Sequence, residues 1–429
     1  RSSDLELDNI NLFVLKECGD LTRECLNVKN YWERILKKFM MNYFTQRKQY
    51  LVIFGCLLLS FVMGSIHAFS LLLEPIETKF YVPRTFSSFT YSLSLISITT
   101  AVYFGSYIYK RLSPTSIVLI VMTLSTLGTL ISAFSYSIYF VWIGYGLFFG
   151  FANGLGYGYT LQYSAIALPE SKALMMGLVT ASYGFGSTIA PIFYRYTFLI
   201  GGFENTMTSI TKLFFIITFI VFFLFRFSNL KFDLEKGIPF QAKDYKPISK
   251  YLLWVIYGCS ISAGLMCFGH AVGIAKSYYV SNEYIYFIPI TMGFINMTGG
   301  IFFSSLIKFF PYKNIMLFLS MLTTLSLLIL FFYHSKFSVF LCLPLISVSY
   351  GGIIAIFPSM INKLVGETEG IKIYGFVFTA WGFFGLLMPL LAGKNFDMFN
   401  SYSTIILITT ILSIFPILII MFKYKKLLI

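Results

Sequence analysis

Few side chains in this 429-residue sequence could do chemistry in an apolar setting, and they are quickly named. His67, in Gly64-Ser-Ile-His-Ala-Phe, falls about midway along a long apolar stretch. A polar ring at that depth is costly unless it faces a cavity or a partner. It either carries protons, since histidine titrates near neutrality, or bridges helices as a neutral ring. His270 stands in a second such stretch, and Lys276 follows near its end, placed either to draw anions inward or to snorkel to the headgroups. Tyr157, Tyr183, Tyr350 and Trp381 stand beside glycines, where their O–H and N–H groups could donate to a carboxylate. Packing against lipid or one another is the plainer use, because 19% of residues are aromatic. Asn296 adds an amide that does not titrate. These groups suit binding and release of a polar solute. No nucleophile–base pair, metal-ligand cluster or cofactor motif accompanies them, so the expectation is neither an enzyme nor a metal- or cofactor-dependent protein.

Tyr183 and Trp381 are set apart by a repeat. Gly177, Val179, Tyr183, Gly184, Phe185 and Pro191 recur as Gly375, Val377, Trp381, Gly382, Phe383 and Pro389, every pair at the same offset. The elements that must position these residues are membrane helices. With 57% hydrophobic and 12% charged residues, the chain has far too little polar surface for a soluble fold. Apolar stretches of about 20 residues cross a bilayer as helices, and the sequence contains twelve. The expected fold is therefore an all-α membrane protein of twelve transmembrane helices in two pseudo-symmetric six-helix bundles. The expected divisions are an N-terminal segment 1–49, a first bundle 50–226, a polar linker 227–250, a second bundle 251–423 and a tail 424–429. A membrane chain whose halves repeat each other is most simply a transporter with its site between the halves. Gly150, Gly154, Gly156 and Gly158 form a small-residue ridge suited to close helix packing.

The formal net charge of +14 does not point to nucleic acid. Most of the 32 Lys and Arg fall on the face shared by both termini, the pattern that places that face in the cytosol of a plasma or organelle membrane. Tyr31, Trp32, Ile35, Leu36, Phe39 and Met40 make an apolar stripe opposite Lys37, Lys38 and Arg47, which reads either as a surface amphipathic helix or as a plain tail. Opening on Arg1 rather than Met is expected of a truncated or processed product. The six cysteines show neither metal-ligand spacing nor a disulfide framework; Cys18 and Cys25 have no histidine nearby, which disfavours zinc.

Several segments, in order, resemble the oxalate/formate antiporter family of the major facilitator superfamily, which is related to the monocarboxylate porters. They are His67-Ala-Phe-Ser70 with Leu73-Glu74-Pro75, Gly154 to Gly158 continuing to Ala190-Pro191, Gly264 to His270 ending in Ala275-Lys276, Tyr350-Gly351-Gly352, and Tyr374 to Gly393. The resemblance implies the major facilitator fold, alternating access, function as a monomer, and aromatic walls from the fourth, fifth, tenth and eleventh helices. Gly300 stands where the family's oxalate carriers place an arginine, and Trp381 where they place a lysine. Asn296 falls near the acidic position of the monocarboxylate porters, and the loop Gly105 to Arg111 lacks the superfamily's usual Asp.

A dianion in a low-dielectric cavity needs compensating cations, so oxalate is disfavoured. The expected activity is secondary-active or facilitative transport of a small organic anion, a monocarboxylate first. His67, Tyr157, Tyr183, His270, Asn296, Tyr350 and Trp381 are the expected solute contacts, with Lys276 for gating or anion attraction. The expected partners are the solute, protons if histidine couples them, and the lipid bilayer. A carrier of a neutral or zwitterionic nutrient, such as an amino acid or vitamin, stays open, as does a transporter-like membrane sensor.

Overall fold

The computed structural model describes residues 47–230 and 249–428. The expected amphipathic helix, the Cys18/Cys25 pair and most of the linker lie outside the described residues. The chain divides at Leu51 into two units. Of the first, residues 47–51 are described, as helix; the second, Val52–Ile429, carries both bundles.

Among the described residues the elements are helices joined by short turns. They are α1 (Arg47–Leu71), the short α2 (Leu73–Phe80), α3 (Arg84–Tyr109), α4 (Pro114–Ala133) and α5 (Ile138–Ala167). A continuous run, Lys172–Ser228, is broken at Gly201 and Gly202, giving α6 (172–200) and α7 (203–228). The second bundle holds α8 (Lys250–Ser277), α9 (Phe287–Leu306), α10 (Tyr312–Phe332), α11 (Lys336–Val365), α12 (Glu367–Phe399) and α13 (Ser403–Leu428). Ten segments have both the length and hydropathy to cross a membrane, and one of these is the joined α6–α7. The remaining crossing is α3, whose 26 residues suffice in length but carry many Ser and Thr. Several of their hydroxyls bond back to carbonyls of the preceding turn, as Ser97 does to Leu93 and Thr99 to Leu95, whereas Thr90 and Ser92 have no partner among the described residues. The result among the described residues is twelve crossings, six on either side of the linker.

Three local departures from regular helix shape the centre. Gly202 takes φ +64°, a left-handed turn that only glycine makes without strain, and so separates α6 from α7. Residues Gly64–Leu71, which include His67, wind as a 3-10 helix, and Trp142–Phe149 of α5 wind as a π-helix. Such windings within long helices recur at functional sites.

Glycine contacts bring the helices together. Gly150, Gly154 and Gly158 of α5 rest on Ser94, Ile98 and Val102 of α3, as the small-residue ridge suggested. The α1–α6 crossing is tighter. A Cβ on Gly64 would strike the Tyr183 carbonyl, and one on Gly186 would strike the Phe61 carbonyl. That backbone-to-backbone approach sets Tyr183 beside His67.

Candidate functional site

His67 is buried, beyond the middle of α1 towards α2. Its Nδ1 lies 3.0 Å from the Tyr91 hydroxyl of α3. Its ring packs on Phe268 of α8, with centroids 4.7 Å apart, and meets Tyr183 and Tyr350 edge-on at 5.7 and 6.2 Å. One imidazole thus touches both bundles. Tyr183 donates to Asn153 Oδ1 at 3.2 Å, and Asn153 Nδ2 donates to the Met63 carbonyl at 2.6 Å, fixing the amide's orientation. Tyr157 packs on Tyr183, with centroids 4.7 Å apart. Its hydroxyl donates to Thr180 at 3.3 Å, since the Thr180 proton is already given to the Met176 carbonyl. In the second bundle, Trp381 Nε1 donates to the Tyr350 hydroxyl at 2.8 Å while its ring stacks on Phe378.

The structure therefore brings His67, Tyr157, Tyr183, Tyr350 and Trp381 into one aromatic cluster, together with Phe268 and Phe378. Asn296 lies alongside, on α9 against Gly351 of α11, and its buried Oδ1 has no hydrogen-bond partner among the described residues. No charged side chain joins the cluster's hydrogen bonds or ring contacts among the described residues.

His270 is placed elsewhere. Tyr402, which also accepts from Arg84 Nη1 at 3.1 Å, donates to His270 Nδ1 at 3.0 Å, because the neutral ring's proton is on the Nε2 that faces a carbonyl. Its Nε2 donates to the Pro389 carbonyl at 2.9 Å. Both ring nitrogens are spent on protein groups, so His270 fastens α8 to α12 and α13 rather than facing the cluster. Lys276 forms an ion pair with Glu74, joining the end of α8 to α2 across the bundles. The side chain expected to attract anions is thus paired with a carboxylate across the bundle boundary.

That ion pair belongs to a network sequence reasoning missed. Asp397 accepts from the backbone N–H groups of Arg84 and Thr85 at 2.8 and 2.7 Å, capping the N-terminus of α3 from the opposite bundle. The Arg84 guanidinium grips Glu77 in bidentate fashion at 2.8 and 3.0 Å and lies 3.9 Å over the Phe396 ring. All these groups lie on the face opposite the one bearing Lys110, Arg111, Lys250 and Lys308. Missed too were Tyr91, Asn153 and Phe268, which carry no motif of their own; only their depth in a span marks them.

Towards the basic face, two glycines of the repeat have open space beside them among the described residues. Gly184 rests on Met297 and Gly382 on Thr99, but a Cβ on Gly177 or Gly375, about two turns nearer the basic face, would meet nothing within 4 Å. Tyr157, Tyr183, Tyr374 and Phe378 are only half-buried. An apolar groove of ≈ 430 Å³ between α3, α4 and α5, lined by Leu93, Ile96 and Phe151 among others, holds none of these residues.

Two six-helix bundles, joined at one face by hydrogen bonds and an ion pair and meeting around a polar aromatic cluster, have the architecture of a membrane transporter. The chain belongs to the Major Facilitator Superfamily, whose profile matches residues 53–389. It is 22% identical over 347 residues to an uncharacterized MFS-type transporter, YhjX, of Escherichia coli K12, covering 79% of this chain and 86% of that one. Among solved structures it is similar to a bacterial homologue of the human lysosomal transporter Spinster, in an inward-facing and unoccupied conformation, with TM-score 0.64, 10% identity and coverage of 87% and 95%. It is also similar to the nucleoside transporter NupG, with TM-score 0.61, 16% identity and coverage of 86% and 99%.

Proposed function

We propose that this transporter is an alternating-access carrier of a small organic anion bearing one negative charge, a monocarboxylate. The supporting observation is the cluster itself. It offers imidazole, phenol and indole groups from both bundles, and no fixed cation among the described residues. Neutral donors stabilise a single carboxylate by charge-assisted hydrogen bonds. A second negative charge would enter a low-dielectric site uncompensated. The resemblance to oxalate/formate antiporters and monocarboxylate porters, together with the replacement of the oxalate-binding cations by Gly300 and Trp381, supports the same choice. With the basic face in the cytosol, the conformation seen here is open inward, and both termini are cytosolic. His67, Tyr157, Tyr183, Tyr350 and Trp381 line the solute's path, Asn296 borders it, and Lys276 with Glu74 closes the far side.

The same neutral lining favours a second reading, a carrier of an uncharged or zwitterionic solute; the structurally similar NupG is described as a nucleoside transporter. Uptake of labelled pyruvate, lactate, oxalate, a neutral amino acid and a nucleoside into proteoliposomes, with and without an inward proton gradient, separates the two. The expected result is pyruvate or lactate flux well above oxalate, abolished by His67→Ala. Flux of a neutral solute alone would replace the monocarboxylate reading by the second.

A further inference from the structure

The two buried histidines differ at one nitrogen. His270 and His67 each have Nδ1 at 3.0 Å from a tyrosine hydroxyl, Tyr402 and Tyr91 respectively. Tyr402 must donate its proton to His270, and His270 Nε2–H then donates to the Pro389 carbonyl. In His67 the first half of that arrangement is repeated. His67 Nδ1 is the only hydrogen-bond partner of the Tyr91 hydroxyl among the described residues, so the buried O–H is satisfied only by donating to it. A nitrogen that accepts carries no proton, and the neutral ring must carry its proton on Nε2. The second half is missing, since no protein acceptor takes His67 Nε2–H among the described residues. The two imidazole nitrogens point apart, so a ring tethered to α3 through Nδ1 aims Nε2 away from it.

Across the bundle boundary the same pattern appears in a phenol. The Tyr350 hydroxyl accepts from Trp381 Nε1, and no protein acceptor takes its own proton among the described residues. A hydroxyl that already accepts is a better donor, because hydrogen bonds in a chain polarise one another. We infer that Tyr91 is a positioning residue which fixes His67 in the Nε2–H form, making His67 Nε2–H and Tyr350 O–H the paired donors that receive the solute's carboxylate, one from each bundle. This rests on the monocarboxylate reading and specifies the atoms that carry it. A donor from each half also makes solute binding sensitive to how the halves are placed, as a carrier requires.

The tautomer is tested without any solute. The chain has three histidines, so nitrogen NMR of ¹⁵N-histidine-labelled protein, with His270→Gln and His334→Gln to assign the signals, reads His67 directly. The expected spectrum shows His67 protonated at Nε2, and Tyr91→Phe turns it into a mixture of tautomers. In vesicles, Tyr91→Phe raises the pyruvate KM about tenfold with the maximal rate within about twofold. A glutamine amide nitrogen falls near the Nε2 position and an asparagine nitrogen near Nδ1. His67→Gln therefore retains uptake, whereas His67→Asn loses it. A His67 protonated at Nδ1, or His67→Asn matching His67→Gln, overturns the inference whatever the substrate proves to be. The Nε2–H form in a protein that carries no monocarboxylate would overturn the substrate reading and, with it, the carboxylate role of the pair, leaving only Tyr91's hold on the ring.

Discussion

Trp381 gives its indole proton to Tyr350 and stacks on Phe378, so its two functions can be divided. Trp381→Phe keeps the stack and removes the donor. A net hydrogen bond is worth about 0.5–1.5 kcal/mol, so solute affinity should fall roughly 2- to 12-fold with no change in folded yield, measured as KM beside a thermal melt. The histidines should divide the other way. His270→Ala removes a donor from the Pro389 carbonyl and leaves the Tyr402 proton without its acceptor, and should cost about 1–3 kcal/mol of stability, seen as a lower melting temperature in detergent. His67→Ala should abolish transport and lower the melt by less than His270→Ala, because the His67 ring serves one protein group, the Tyr91 hydroxyl, and the His270 ring serves two. In the sequence the two histidines looked alike, since depth and residue type were all that could be read. What separates them is the carbonyl of Pro389, 119 residues away in the chain, and no local pattern announces it. Tyr91 escaped notice for a similar reason: in a Ser- and Thr-rich helix among so many aromatics, nothing but its partner distinguishes it.

The repeated motif gains a physical meaning at the level of helices. In both copies the central glycine, Gly184 or Gly382, sits where one bundle touches the other, and the first glycine, Gly177 or Gly375, has open space beside it. The aromatic before each central glycine, Tyr183 or Trp381, turns into the cluster, while Phe185 and Phe383 are exposed on the outside. The motif was legible because the same contact is made twice, once by each bundle. The α1–α6 crossing was not, since Gly64 and Gly186 belong to no repeat and their need for a bare backbone depends on the partner helix. Gly186→Leu should force α1 away from α6, lowering the yield of folded protein and shifting the melt downwards, whereas Gly177→Ala, with open space before it, should leave both unchanged. The spans, α3 among them, were recognisable from hydropathy except at their edges. In the Ser- and Thr-rich α3 several hydroxyls are satisfied by carbonyls of their own helix.

For the whole molecule, the proposed alternation makes the closed contacts on one face, and the open space towards the other face, the two ends of one equilibrium. Asp397 caps α3 from the second bundle, and Lys276 pairs with Glu74 across the same boundary. None of this was visible in sequence beyond the placement of Glu74 and Asp397 at span ends, because an inter-bundle cap has no spacing rule. Removing the carboxylate should weaken the closed face. Ser88 is fully buried just behind it, so Ser88→Cys should react slowly with a membrane-impermeant thiol reagent and several-fold faster when Asp397→Ala is added. Equal reactivity in both would mean that the cap does not hold the face shut. The proposed monocarboxylate site is coupled to this equilibrium, and solute counterflow tests both together. Vesicles preloaded with unlabelled pyruvate should take up labelled pyruvate faster than empty ones, while preloaded oxalate should give no acceleration. Uptake indifferent to the internal solute, or accelerated equally by oxalate, would contradict the account.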